Sequence, residues 1–279
     1  MKSTLLRLTY LMLAVLLAGT ALGQTPTREE LENRPEFEIV LIHGLGSNAE
    51  VWDDVVPYLK GTFTVRTFEL TGHGNTQPVM DPTIETEADR LEQFILDEEL
   101  DYPTIVGHGL GGMVAMVYAI RHPAAVHRLI LMDTAPKQLA SDEEKSAVAL
   151  ELANDYDRFV ASRFLNMTPD EVVTERIVDT ALRTDSATFV SLLMSSFDFD
   201  VTGDLYAMSV PMLVIGSELM FPHDTDSRHM LEHYGFGAAK SLSFKRMAGV
   251  GHFMMLERPV NLASVLLAFG VTADYQFEH

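Results

Sequence analysis

The stretch Ile105-Val106-Gly107-His108-Gly109-Leu110-Gly111-Gly112 decides how the rest of the chain is read. An apolar run over 102–106 ends there on small residues, and a helix-compatible run over 113–120 begins at once. That pattern predicts a strand, a sharp turn and a helix. Glycine at 107 and 111 removes the Cβ atoms that would hold strand and helix apart, and Gly109 stands at the apex of the turn.

The same rhythm extends in both directions. Residues 37–42 read as the first buried strand, ending at His43-Gly44-Leu45-Gly46. A capped helix with an apolar face follows over 51–59, and a second strand over 63–68. Apolar spacing predicts a helix over 84–96, and 126–132 reads as the strand after the central turn, stopping at Asp133. Beyond the middle of the chain come a strand over 210–216, a helix over about 224–234, a last strand near 242–244 and a closing helix over 260–269. Strands alternating with helices argue for an α/β fold with a mostly parallel six-stranded sheet flanked by helices.

Between about 137 and 208 the rhythm changes to charged helical segments with no strand signal, which predicts an inserted helical cap. Its apolar residues, among them Phe159, Phe164, Leu165, Phe189, Leu192, Leu193, Met194 and Phe197, are expected to form a small core and to present some of their number to a ligand. At the start, Lys2 and Arg7 precede an apolar run over 8–18, and Ala21-Leu22-Gly23 offers the small residues of a cleavage site. The run is shorter than the ~20 residues needed to cross a bilayer. The expected organisation is an export signal over 1–23, a linker over 24–36, a core over 37–136 and 209–279, and a cap over 137–208. The mature protein is then periplasmic or secreted.

Composition narrows the function classes. At 47% hydrophobic and 22% charged, the 279-residue chain can bury a full core. The absence of cysteine excludes disulfides, thiol catalysis and a lipidated cysteine anchor. A formal charge of −20 argues against nucleic acid and, for the mature form, against anionic membranes as partners. Composition leaves the oligomeric state open. His43, His73, His108 and His252 fall at strand ends but show no paired ligand spacing, and His229 and His233 lack the rest of a metalloprotease motif, so no metal is expected.

Several motifs taken together resemble the α/β-hydrolase fold family, and the resemblance covers nearly all of the chain after the leader. His43-Gly44 followed by Trp52 is similar to the oxyanion-hole loop and its helix, and Gly72-His73-Gly74 to the turn after the next strand. Gly107 to Gly112 resembles the G-x-S-x-G nucleophile elbow, Val210-Pro211 with Gly216 the acid-bearing strand, and Gly251-His252-Phe253 with Glu257 and Pro259 the histidine loop. The short start makes the sheet resemble the compact six-stranded members, such as plant methylesterases and hydroxynitrile lyases. The resemblance implies a cofactor-free machinery: the Leu45 and Leu110 amides as oxyanion donors, His252 as base, and His43, Gly44 and His108 at the substrate.

Two departures stand out. The family's nucleophilic serine is replaced by Gly109, which has no side chain to attack anything and which accepts the strained elbow backbone freely. The acid is open between Asp133, at the end of the preceding strand, and Glu218, because Leu219 stands where an Asp is expected. Asp133 reads equally as a buried structural residue that caps the following loop. Two functions follow. One is a descendant of carboxylic-ester or lactone hydrolases in which His252 acts on water with weak effect. The other is a pseudoenzyme that holds a small, largely apolar ligand between cap and sheet.

Overall fold

The computed structural model describes residues 37–271. The export signal, the linker and the last eight residues of the expected core lie outside the described residues. Eight strands run through it: β1 (Phe37–Ile42), β2 (Phe63–Phe68), β3 (Thr104–His108), β4 (Arg128–Met132), β5 (Lys137–Leu139), β6 (Asp198–Asp200), β7 (Met212–Ser217) and β8 (Leu242–Met247). Six of them form one parallel sheet in the order β2-β1-β3-β4-β7-β8, and β5 pairs antiparallel with β6 in a separate ribbon.

The central strands are continuous apolar runs because both faces of the sheet are covered. Strand period two sends Ile39 and Leu41 into one apolar cluster, with Trp52, Leu59, Leu262 and Leu266. Val40 and Ile42 go into the other, with Ile84, Leu91, Val114 and Val117. The first cluster lies under α1 (Val56–Leu59) and α10 (Pro259–Val271), the second under α2 (Ile84–Asp97) and α3 (Leu110–Arg121). Register fixes where the strands stop: Gly107 stands opposite Ile42, and His108 opposite Met132. The chain leaves β1 toward β2 on one side, while β3 lies on the other, so the crevice between β1 and β3 is a topological switch point, where ligands bind in open α/β sheets.

Between β4 and β7 the chain inserts α4 (Asp142–Asn154), α5 (Tyr156–Phe164), α6 (Glu171–Arg183) and α7 (Ser186–Ser196). Phe159, Phe164, Phe189, Leu193 and Phe197 are buried in the same cluster as Trp52, and Leu192 joins the other one. Leu165 is exposed and Met194 is half-buried. The remaining helices are α8 (Ser227–His233), with His229 and His233 on its exposed side, and α9 (Met254–Glu257).

Four local expectations need correction. The insertion is not wholly helical, since β5 and β6 bring its two ends together with Lys137 opposite Asp200; three-residue strands are too short to show a period-two pattern. The helix expected over 51–59 is split into a 3₁₀ turn (Ala49–Trp52) and α1, because Pro57 has no N–H to continue a ladder from the preceding turn. Strand β3 starts after Pro103 and runs on through Gly107 and His108, whereas 102–106 was expected. Strand β8 is three residues longer than expected, because an edge strand with one partner tolerates Lys245 and Arg246.

Candidate active site

The turn between β3 and α3 has the backbone the sequence predicts. Gly109 takes φ 52° and ψ −121°, its N–H donates to the Met132 carbonyl at 3.0 Å, and its own carbonyl accepts from the Gly112 N–H at 3.0 Å. Most residues would hold that conformation at a cost of ~1–3 kcal/mol. The neighbouring glycines are there for a different reason. A Cβ on Gly107 would overlap the Gly111 backbone, and one on Gly111 would overlap the His43 carbonyl. A Cβ on Gly109 would meet only ordinary van der Waals contacts, with His252 Nε2 at 3.4 Å and Gly44 Cα at 3.8 Å. Sterics therefore require glycine at 107 and 111 and leave room for a side chain at 109.

His252, in the loop after β8, is held from three directions. Its Nδ1 lies 3.1 Å from Asp133 Oδ2, and since a carboxylate only accepts, Nδ1 carries the proton. Its backbone N–H donates to the Met167 carbonyl in the insertion at 2.6 Å, and its own carbonyl accepts from His108 Nε2 at 3.0 Å. This leaves Nε2 facing the space beside Gly109.

Asp133 and Glu218, the two candidate acids, are separated by the geometry. Asp133 leaves β4 with φ 42°, a left-handed turn that Asp tolerates better than most residues, and its side chain is 2% exposed. Oδ1 accepts from the Ser217 N–H at 2.7 Å and Oδ2 from the Ser217 hydroxyl at 2.6 Å, besides His252. Asp133 thus orients the histidine and secures the end of β7 at once. Glu218 does not meet His252; its Oε1 accepts from the His223 N–H and pairs with His223 Nδ1, both at 2.7 Å, in a separate surface groove. Ser217 was missed by sequence reasoning, and the only signal for it was a small polar residue directly after Gly216.

The histidines expected at the substrate divide. His43 is fully buried and does not line the cavity, which corrects its expected place beside the ligand. Its Nδ1–H donates to the Gly44 carbonyl at 2.8 Å, and its Nε2 accepts from the Leu70 N–H at 3.2 Å. Burial lowers its pKa to about 4, against the smaller opposing effect of the Gly44 carbonyl. His73 is built the same way, donating to the Thr71 carbonyl at 2.7 Å and accepting from the Gly46 N–H at 3.0 Å. Burial, with His43 beside it, lowers its pKa to about 3. His108 does line the cavity; burial, and then the proximity of His252, hold its pKa well below the usual histidine value.

These parts surround a cavity of about 310 Å³ reached by Gly44, Leu45, Gly109, Leu110, Asp133 and His252 from the sheet edge. Arg163, Phe164, Met167, Leu193 and Ser196 reach it from the insertion. The Leu45 and Leu110 amides donate to no atom among the described residues, and Leu110, as the first residue of α3, has no intrahelical acceptor for its N–H. Arg163 was also missed; its signal was a cation beside Phe164 in the last turn of α5. No group of three or more potential metal ligands occurs among the described residues.

Comparison with known proteins agrees with the geometry. The chain is 42% identical over 115 residues to a pimeloyl-[acyl-carrier protein] methyl ester esterase of Aromatoleum aromaticum, a match spanning 41% of this chain and 43% of the relative. The chain thus spans less than half the length of that relative. In fold it is similar to a thermophilic esterase from Thermogutta terrifontis (TM-score 0.74, 21% identity, 85% of this chain and 90% of the other). It is similar also to the enol-lactonase from Burkholderia xenovorans LB400 (TM-score 0.73, 22% identity, 87% and 93%). Residues 39–265 match the alpha/beta hydrolase family, to which this chain belongs.

Proposed function

We propose that the protein binds a small, largely apolar ester or lactone between insertion and sheet, and that it hydrolyses such a ligand weakly, with water in place of the absent serine oxygen. The observation that carries this reading is the Asp133–His252 pair turned toward the space beside Gly109. A water there lies within reach of His252 Nε2, which takes its proton as the water oxygen attacks the carbonyl carbon. Asp133 stabilises the resulting imidazolium, and the Leu45 and Leu110 amides receive the negative charge of the carbonyl oxygen; the adduct then collapses, the bond to the alcohol oxygen breaks, and the imidazolium returns its proton to that oxygen. Water is a weaker and less well-placed nucleophile than an elbow serine. Oxyanion hole and binding alone leave roughly 10³–10⁴-fold acceleration over water when a triad member is lost. The printed names of the relatives, a methyl ester esterase and an enol-lactonase, support esters and lactones as the ligands to try first.

The test is a survey of esters and lactones on purified protein with His252→Ala beside it. Turnover should fall to background in the variant; turnover that survives removes the water mechanism. A second reading, binding without turnover, is favoured by the missing side chain at 109, and would be established by ligand binding with no His252-dependent product. We also propose export with removal of about 1–23, checked by the mass of the protein recovered from its native host; a chain still starting at Met1 would contradict it.

A further inference from the structure

The cavity at Gly109 is cationic in a protein of formal charge −20. Arg163, from the last turn of α5, and Lys137, from β5, both line it, and Asp133 is the one acidic side chain among its described lining residues. Asp133 is already taken up by Ser217 and His252. Lys137 stands in register opposite Asp200 across the ribbon, near enough for its charge to act on that carboxylate. Arg163 has none: its guanidinium makes no hydrogen bond or ion pair with any described residue. Elsewhere Arg66 pairs with Glu98, Arg90 with Glu87 and Arg121 with Asp89. In a protein with 40 acidic residues against 20 basic ones, this guanidinium is set at a cavity and not at an acid.

The surroundings leave this guanidinium free to meet a ligand. Arg163 keeps an exposed surface beside the cavity, and the protein packed near it lowers its pKa by desolvation with no anion set against it. Phe164, Met167 and Leu193 form apolar walls around it, and His108 brings no counter-charge. A planar guanidinium with free N–H groups beside an apolar lining is suited to a carboxylate, which it can grip with two parallel hydrogen bonds.

Resting on the proposed ester-binding reading, we infer that the cavity is built for an ester that also carries a free carboxylate, such as the half-ester of a short dicarboxylic acid. The ester carbonyl lies at Gly109 and His252, the methylene chain packs on the apolar walls, and the acid end pairs with Arg163.

The experiment is calorimetric titration of the full chain with monomethyl succinate, adipate and suberate, each beside its dimethyl diester, for the wild type, Arg163→Gln, Arg163→Lys and Lys137→Gln. A charge-assisted pair in a partly buried site predicts that the best half-ester binds about ten- to a hundredfold more tightly than its diester. That ratio should collapse toward one in Arg163→Gln, survive in part in Arg163→Lys, and change less in Lys137→Gln. Melting followed by circular dichroism identifies any variant that fails to fold, and the wild-type ratio stands without the variants. Diesters that bind as tightly as half-esters, or a preference that persists in Arg163→Gln, would overturn the inference while leaving ester binding intact. Displacement of the half-ester by inorganic phosphate at equal concentration would overturn it in favour of a general anion site. Binding of neither ligand class would overturn this inference and the ester-binding reading together.

Discussion

Two pairs of histidines lie at the same edge of the sheet and do different things. His43 and His73 have ring centroids 5.3 Å apart, and each spends both ring nitrogens on the backbone, one donating to a carbonyl and the other accepting from an N–H. They are closed fasteners for the loops after β1 and β2. His108 and His252 are closer, at 4.3 Å, but this pair is left open: His252 Nε2 faces the cavity, and His108 Nδ1 has no partner. Position at a strand end therefore does not mark a functional histidine. What separates the pairs is whether the second ring nitrogen is already occupied.

The largest effect expected of this contrast is on acid stability. His43 and His73 have native pKa values lowered to about 4 and about 3, below the 6.5 of an unfolded histidine. Between those limits the unfolded chain takes up protons that the native state refuses, so stability falls as pH drops below 6.5 and the loss levels off below the native values. Each histidine contributes on the order of 1.4 kcal/mol per pH unit inside its window. Denaturant titrations from pH 7 to 4 should show the decline, and His73→Ala should make it shallower. A decline of unchanged slope in that variant would break the assignment.

Next in size is His73→Ala at neutral pH. It orphans the buried Gly46 N–H and leaves a void, for a loss of about 3 kcal/mol in unfolding free energy. His252→Ala should cost about 1 kcal/mol or less, because Asp133 keeps both bonds from Ser217, while any turnover disappears. Equal destabilisation by the two substitutions would erase the distinction between fastener and open pair. Smallest is Glu218→Gln, which should leave both the unfolding midpoint and any ester turnover nearly where they are, since its carboxylate serves His223 and the Gly249 backbone at the surface and does not meet His252.

How far the sequence could be read follows from the range of the forces involved. The succession of sheet strands along the chain and the turn at Gly109 were legible, because runs such as Ile39 to Ile42 and the glycines at 107 and 111 are local consequences of burial and close approach. The choice between Asp133 and Glu218 was not legible. Both follow strands, and only the left-handed turn at Asp133 and its contacts with Ser217, 84 positions away, aim one of them at His252. The ribbon of β5 and β6 and the closed state of His43 depend likewise on partners distant in sequence.

The central claim is that the machinery around Gly109 is assembled apart from its nucleophile, and Gly109→Ser tests it most directly. The added Cβ has room, with His252 Nε2 3.4 Å away, although serine must accept the φ of 52° at a cost of ~1–3 kcal/mol. Labelling by a fluorophosphonate probe, read by intact mass, should be absent in the wild type and present in Gly109→Ser. It should be largely lost when Asp133→Asn is added and little changed when Glu218→Gln is added. A folded Gly109→Ser protein that takes up no probe would contradict the account.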